Sequence, residues 1–93
     1  GRVARLEIGN AGAGLEVLGA TLGETRTILL DGNTLYAVGY DAGTIYSFDV
    51  TKTPFVANPL VQGLQHPHDI ALDSTYLYIA GGDDGKIYRV PKL

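Results

Sequence analysis

The sequence predicts an all-β fold made of repeated four-stranded units, and three observations support this prediction. A shift of 42 residues gives ten identities within positions 28–46, without a gap. Thirteen glycines and four prolines indicate many turns. No segment longer than a turn or two carries the 3.6-residue apolar period of a helix. Since four antiparallel strands in about 40–45 residues are typical of a propeller blade, we expect a β-propeller rather than the helical armadillo or HEAT repeats.

The 42-residue period aligns turns as well as strands. It runs from the first residues to the last and therefore gives about 2.2 blades in the chain. The identical pairs are Ile28 and Ile70, Leu30 and Leu72, Asp31 and Asp73, Leu35 and Leu77, Tyr36 and Tyr78, Gly39 and Gly81, Asp41 and Asp83, Gly43 and Gly85, Ile45 and Ile87, and Tyr46 and Tyr88.

The repeat divides the chain into three blades, whose strands are labelled A to D from the propeller axis outward. We expect a partial blade with strands C and D at 1–22, a complete blade at 23–64, and a partial blade with strands A to C at 65–93. The expected strands are 3–8 and 15–20, then 27–30, 34–39, 44–50 and 55–61, then 69–72, 76–81 and 86–90.

Residue types place the first three strands of the complete blade. An apolar run at 27–30 ends at the turn residues Asp31-Gly32-Asn33. Residues that favour strands fill 34–39 and 44–50, with apolar side chains on both faces of the first of these. The turn Tyr40-Asp41-Ala42-Gly43 between them is short enough for a hairpin. Apolar residues on both faces predict a sheet packed between two neighbours.

The fourth strand and the turn carboxylates carry further expectations. Because Pro59 has no amide hydrogen to donate, the weaker strand at 55–61 is predicted to lie at a sheet edge. Asp31 and Asp73, which are equivalent in the repeat, are expected to hold the A-to-B turns through bonds to backbone amides.

About two blades cannot close a propeller, which needs at least four. We therefore expect the ring to be completed by other copies of the chain or by the remaining blades of a longer parent protein. Three copies would close a six-bladed ring, the preferred arrangement, and four would close an eight-bladed one. The 15–20 strand of one copy would then complete the third blade of the next, although strand 3–8 would duplicate strand 86–90.

Composition excludes several classes of function. Seven basic and ten acidic residues give a formal net charge of −3, which provides no basic face for nucleic acid or for an anionic membrane surface. The absence of cysteine excludes disulfides and thiolate metal sites. The sequence contains no apolar run of about 18 residues, the length that would predict a membrane-spanning helix. We therefore expect neither a nucleic acid nor a membrane as a partner.

Three segments of the last unit resemble the NHL-type repeat. The preceding unit is similar to it over 35–39 and 43–49, and residues 1–6 are similar to the third strand of streptogramin-lyase repeats. Asp69 stands where the NHL pattern has glycine. The three segments are His66-Pro67-His68-Asp69-Ile70-Ala71-Leu72-Asp73, Leu77-Tyr78-Ile79-Ala80-Gly81 and Gly85-Lys86-Ile87-Tyr88-Arg89-Val90.

This resemblance implies a six-bladed propeller of the superfamily that contains NHL, streptogramin-lyase-like and gluconolactonase-like proteins. Some of its members are interaction modules for protein or RNA. Others, such as the amidating lyase and streptogramin lyase, carry out metal-assisted chemistry at the propeller axis. The fold alone does not choose between these functions.

The candidate site lies where the D-to-A and B-to-C connections share one face, because that face carries the site in related propellers. The repeat presents different polar residues at equivalent positions there, which suits a site with distinct sides. The candidate ligand-binding residues are Glu24, Arg26, Tyr40, Asp41, His66, Asp69, Asp83 and Asp84.

His66 and His68 form the sharpest feature of this face. In an extended segment, residues i and i+2 point the same way, so both rings would approach one divalent ion, zinc or calcium. Asp69, Asp83 or a group from another blade would supply a third ligand. His68 is then the candidate catalytic residue, as metal ligand or general base. The alternative is a polar loop, since the NHL pattern itself favours His or Asn before proline. The Asp83-Asp84-Gly85 segment could be read as a calcium loop, but it lacks the alternating oxygen donors of such a loop, and a hairpin turn explains it fully.

Two functions therefore remain open. The first is a binding or scaffold module whose ligand meets the face that carries the two histidines. The second is a lyase or hydrolase with its site at the axis, where a divalent ion acts as Lewis acid. The first is preferred because the chain contains only two histidines and much of the ring lies outside it.

Overall fold

The computed structural model of this chain describes residues 3–5, 16–19, 24–52 and 55–93. These residues confirm the all-β prediction, and none of them forms a helix long and apolar enough to cross a membrane. The strands are β1 Val3–Arg5, β2 Glu16–Gly19, β3 Thr25–Asp31, β4 Thr34–Gly39, β5 Thr44–Asp49, β6 Asn58–Val61, β7 Asp69–Leu72, β8 Tyr76–Ala80 and β9 Ile87–Pro91.

The strands form antiparallel sheets in which each strand pairs with the next one in the chain. β1 pairs with β2, β3 to β6 form a four-stranded sheet, and β7 to β9 form a three-stranded sheet. The described sheets do not close into a ring. The first two expected strands, 3–8 and 15–20, extend beyond β1 and β2; residues 6–8, 15 and 20, and the glycine-rich connection 9–14, lie outside the described residues.

Two of the remaining strands, 34–39 and 69–72, have the predicted bounds; β5, β8 and β9 differ by a single residue at one or both ends, and β3 and β6 differ by more. β3 begins at Thr25, because this residue pairs with Gly39 across a register shift. β6 begins at Asn58 and includes Pro59, which faces Tyr46 in the ladder. β6 is the last strand of its sheet, so the predicted edge position of this proline strand is confirmed.

Short turns close both hairpins that bear on the candidate site. Between β4 and β5, Gly43 has φ +63°, and a Cβ there would collide with the carbonyl oxygen of Leu64. Glycine is therefore required by the backbone and by the close approach of the chain. Between β8 and β9 the loop is a one-turn 3₁₀ helix, Gly82–Asp84, in a chain for which no helix was predicted. The Gly85 amide donates to the Gly82 carbonyl oxygen at 3.1 Å and closes this turn.

The four-stranded and three-stranded sheets pack face to face through the larger apolar core. Each buried side chain in such a core contributes roughly 1.5–3 kcal/mol relative to full exposure, so this contact holds the two sheets together. The buried members are Tyr36, Val38 and Ile45 from the four-stranded sheet and Ile70, Leu77 and Ile79 from the three-stranded sheet.

The opposite face of the four-stranded sheet carries a second buried cluster. Leu35, Ala37 and Phe48 form it, and partly buried apolar residues such as Phe55 and Ala57 pack against them. Burial on both faces of β4 agrees with the prediction of a sheet covered on two sides.

The two equivalent turn carboxylates have different partners. Asp73 holds its turn as predicted, since its Oδ1 accepts from the amides of Thr75 at 2.7 Å and Tyr76 at 2.6 Å. Asp31 instead accepts from Lys92 Nζ at 2.8 Å. The contact between Lys92 and Asp31 joins the segment after β9 to the end of β3. Asp31 therefore connects two sheets, whereas its counterpart Asp73 holds a turn.

Candidate functional site

One end of the two packed sheets gathers six of the residues predicted for the site. The start of β3, the β4–β5 turn, the β6–β7 connection and the β8–β9 turn meet there. Two backbone bonds hold these segments together: the Tyr40 amide donates to the Glu24 carbonyl at 2.7 Å, and the Asp83 amide donates to the Gln65 carbonyl at 3.0 Å. The six residues, which we call the polar cluster, are Glu24, Arg26, Tyr40, His66, His68 and Asp83.

Tyr40 is the centre of the polar cluster. Its ring stacks on the His66 imidazole, with ring centroids 4.7 Å apart and planes inclined by 25°. The His68 ring meets the same tyrosine edge-on at 5.3 Å. The Arg26 guanidinium carbon lies 4.1 Å from the centroid of the tyrosine ring, a distance at which the cation is attracted by the π-electrons. A residue of the four-stranded sheet thus joins an arginine of its own sheet to two histidines that lead into the three-stranded sheet.

An ion pair or a short hydrogen bond fixes each end of this stack. Arg26 Nε lies 2.5 Å from Glu24 Oε2. His66 Nδ1 lies 2.5 Å from Asp83 Oδ2, and both side chains remain accessible to solvent. With Asp83 ionised, the imidazole donates its Nδ1 hydrogen to the carboxylate, and in neutral His66 the Nε2 lone pair is left free. This arrangement orients the ring and selects its tautomer.

The backbone around His66 is shaped to bring its ring to Asp83. His66 has φ +48°, and it is the non-glycine residue with positive φ in the described part of the chain. A left-handed residue of this kind stores strain of about 1–3 kcal/mol, which the surrounding contacts must offset. At Gly82, with φ +69°, a Cβ would collide with the carbonyl oxygen of His66. The 3₁₀ turn therefore lies directly against the histidine backbone, where only glycine fits.

The backbone at His66 differs from the extended segment that the sequence predicts for the two histidines. In an extended segment, the i and i+2 side chains would point the same way. The segment is not extended at His66, so strand alternation does not align the rings. Both rings instead reach the same place because each contacts Tyr40. The carboxylate partner belongs to His66, whereas His68, the candidate catalytic residue, has Tyr40 as its ring contact and donates its amide to the Ala80 carbonyl at 3.2 Å.

Three predicted residues lie apart from these contacts. Asp41 is exposed in the β4–β5 turn. Asp69 accepts from the Ile70 amide at 2.8 Å and borders a hollow on the outer face of the three-stranded sheet. Asp84 accepts from the Tyr88 hydroxyl and from the Lys86 amide, and these two bonds, the hydroxyl first, lower the pKa of its carboxyl. Asp84 is thus engaged in holding the turn.

The repeat explains how two equivalent loops build one asymmetric cluster. Under the 42-residue shift, Glu24 and Arg26 stand where His66 and His68 stand in the next unit. The first pair is closed on itself as an ion pair, while His66 turns to Asp83. The signal that could have assigned Asp83 to His66 is its place in the β8–β9 turn of the same unit, beside the backbone that bends at Gln65 and His66.

The polar cluster can bind polar groups and can move a proton. The Nε2 atom of His66, whose ring is oriented by Asp83, has the lone pair that a general base or a metal ligand needs. Among the residues that the structure describes, no group of three or more His, Asp or Glu side chains is gathered in a metal-binding arrangement. Comparisons of the chain with protein-family models, with curated proteins and with solved structures found no match, so this interpretation rests on the geometry of the cluster itself.

Proposed function

We propose that the chain is part of an NHL-like β-propeller that acts as a binding module, with its ligand site at the polar cluster. Other copies of the chain or the rest of a parent protein complete the ring. Two features support the propeller: consecutive antiparallel sheets of neighbouring strands, and the face-to-face packing of one such sheet on the next. The loops of both sheets meet at one end, as they do at the ligand-binding end of propellers.

The observation that carries the binding function is the construction of the cluster across two sheets. Tyr40 comes from one sheet and His66, His68 and Asp83 from the other, and stacking and ion pairing hold them in place before any ligand arrives. Preorganised groups lose little conformational entropy when a ligand binds, which favours affinity.

The charges at this end indicate which ligands are favoured. Among the described residues at this end, the carboxylates of Glu24, Asp41 and Asp83 outnumber the cations of Arg26 and Lys86. A ligand with positive charge or several hydrogen-bond donors would therefore be attracted, whereas an anionic one would be repelled.

Amide and side-chain NMR spectra can test this proposal. A lysine- and arginine-rich peptide is expected to shift the resonances of Tyr40, His66 and His68, and a glutamate-rich peptide of the same length to leave them in place. Asp83→Asn should weaken the response. Asp49→Asn is the matched control, because Asp49 is an exposed carboxylate at the opposite end of β5. Absence of any response to the basic peptide would contradict the proposed ligand class.

A metal-assisted lyase or hydrolase is the second candidate function, and the short contact between His66 and Asp83 favours it. In that case His66 would take a proton from substrate or water, Asp83 would position its ring, and His68 would help to hold a zinc or calcium ion, which would supply Lewis acidity. Calorimetric titration with each ion tests this function. Stoichiometric binding that is lost in the His66→Ala/His68→Ala variant would support it, and absence of binding in the assembled protein would oppose it.

A further inference from the structure

The outer face of the three-stranded sheet is open and is apolar around Ile87, with Asp69 and Arg89 on the same face. Ile87 on this face is 74% exposed, although its repeat counterpart Ile45 is completely buried at 0%. Tyr78 and Ala80 are partly exposed, whereas Tyr36 and Val38, their counterparts, are buried. These residues line a shallow hollow of about 210 Å³. The same sequence positions are therefore core in one sheet and surface in the next.

A second open patch lies on the four-stranded sheet, on the side away from the three-stranded one. Ile28 and Leu30 of β3 are 50% and 60% exposed. They pair across the ladder with Ala37 and Leu35 respectively, so they share a face with the second apolar cluster. The repeat counterpart of Ile28, Ile70, is only 6% exposed because it packs in the contact between the two sheets.

The contact inside the chain shows how these two patches match. There, Tyr36, Val38 and Ile45 on one sheet meet Ile70, Leu77 and Ile79 on the next. The outer face of the three-stranded sheet carries the repeat counterparts of the first set. In the Ile28–Leu30 patch, Ile28 is the counterpart of Ile70, and the counterparts of Leu77 and Ile79, which are Leu35 and Ala37, lie beside it on the same face, in the second apolar cluster. The two surfaces therefore correspond in sequence position to the two sides of the contact inside the chain.

We propose that the outer face of the three-stranded sheet in one copy docks on the Ile28–Leu30 patch of a second copy of this chain. The contact is head to tail, joins two different surfaces, and repeats the internal packing. A contact of this kind forms a ring if its rotation closes, and the four-stranded and three-stranded sheets of three copies would supply the six sheets of such a ring. The inference rests on the stacked-sheet arrangement in the proposed function, but it does not depend on what the polar cluster binds.

Light scattering after size exclusion tests the proposal. The mass of the wild-type protein is expected near three times the 9.9 kDa of one chain. Ile87→Glu and Leu30→Glu should each abolish assembly, because each places a charge in one half of the interface. Val56→Glu is the matched control, since Val56 is also exposed but belongs to neither patch. Far-ultraviolet circular dichroism of the variants establishes that they remain folded.

Mixing the two monomeric variants separates a head-to-tail contact from any other. The Ile87→Glu protein keeps an intact Ile28–Leu30 patch, and the Leu30→Glu protein keeps an intact outer face, so together they should form a 1:1 dimer and nothing larger. A wild-type monomer at millimolar concentration would overturn the proposal, as would variants that fail to combine or an assembly insensitive to either substitution. A monomer that still responds to the basic peptide would contradict this inference alone, whereas a ring that does not respond would contradict the binding function alone.

Discussion

His66 Nδ1 lies 2.5 Å from Asp83 Oδ2, so the connection that enters the three-stranded sheet is bound to the turn that joins its last two strands. The contact spans 17 residues. It selects the tautomer of the imidazole and leaves the opposite nitrogen accessible. Stacking on Tyr40 then extends this local arrangement to the neighbouring sheet. The polar cluster is consequently a link between sheets, and it is the place where we propose that a ligand meets oriented polar groups.

Removal of the central ring is expected to loosen the cluster. Tyr40→Ala should lower the free energy of unfolding by about 1 kcal/mol, because aromatic stacking and cation–π contacts are each worth roughly 0.5–1.5 kcal/mol. Urea denaturation measures this change. Tyr40→Phe is the control, because it keeps the ring against His66 and Arg26. Equal stability of the two variants would contradict the central position of the ring.

Substitution at Gly82 is expected to be more harmful than at a similar glycine elsewhere. Both Gly82 and Gly32 have positive φ, +69° and +57°, so an alanine at either position costs about 1–2 kcal/mol of backbone energy. Only at Gly82 would the new Cβ also collide with the His66 carbonyl oxygen. Gly82→Ala should therefore unfold at lower urea than Gly32→Ala and should also shift the His66 resonances. Identical midpoints would indicate that the loop moves away freely.

Stability is expected to fall in acid partly because of Asp73. The Tyr78 hydroxyl, then the amides of Tyr76 and Thr75, lower the pKa of this carboxyl from 3.8 to about 2. Since the pKa is lower in the folded state, the stabilisation is complete above the unfolded-state value and is lost as pH falls from about 4 through about 2. Urea midpoints across this range measure the loss.

Removal of the Tyr78 hydroxyl tests this acid dependence. Tyr78→Phe removes the strongest of the three bonds to Asp73, so the pKa of this carboxyl should rise and the acid-dependent loss should shrink. Tyr46→Phe, at a tyrosine that packs against the second apolar cluster, should leave the profile unchanged. An NMR titration of the Asp73 carboxyl follows the same change directly. A profile that Tyr78→Phe does not alter would contradict this assignment.

The contact between the two sheets is expected to dominate the stability of the chain. Leu77 is completely buried in it, so Leu77→Ala should cost about 2–5 kcal/mol in free energy of unfolding. Val56→Ala, at an exposed position, should change it by less than about 0.5 kcal/mol. Denaturant unfolding of both variants at one protein concentration provides the measurement. A small effect of Leu77→Ala would mean that the sheets are stable without each other.

Local patterns were sufficient to predict the strands, because strand periodicity and turn residues act over a few positions. The strand at 34–39 has the predicted bounds. The edge position of the Pro59 strand could be predicted because it follows from the missing amide hydrogen of that one residue. The 42-residue repeat also identified which side chains are equivalent. It could not predict that Ile45 would be buried and Ile87 exposed, since burial depends on what lies against a sheet.

The sequence alone therefore determined the all-β class, most strand positions and the residues from which a candidate site would be chosen. Tertiary structure decided which of them meet: that Asp83 partners His66, that Tyr40 lies between Arg26 and the imidazole, and that Asp31 binds Lys92. The physical reason is the separation along the chain over which each kind of interaction acts. Strand propensity and turn chemistry are properties of neighbouring residues, whereas ion pairs and ring contacts between distant residues exist only after packed sheets have brought their loops to the same end.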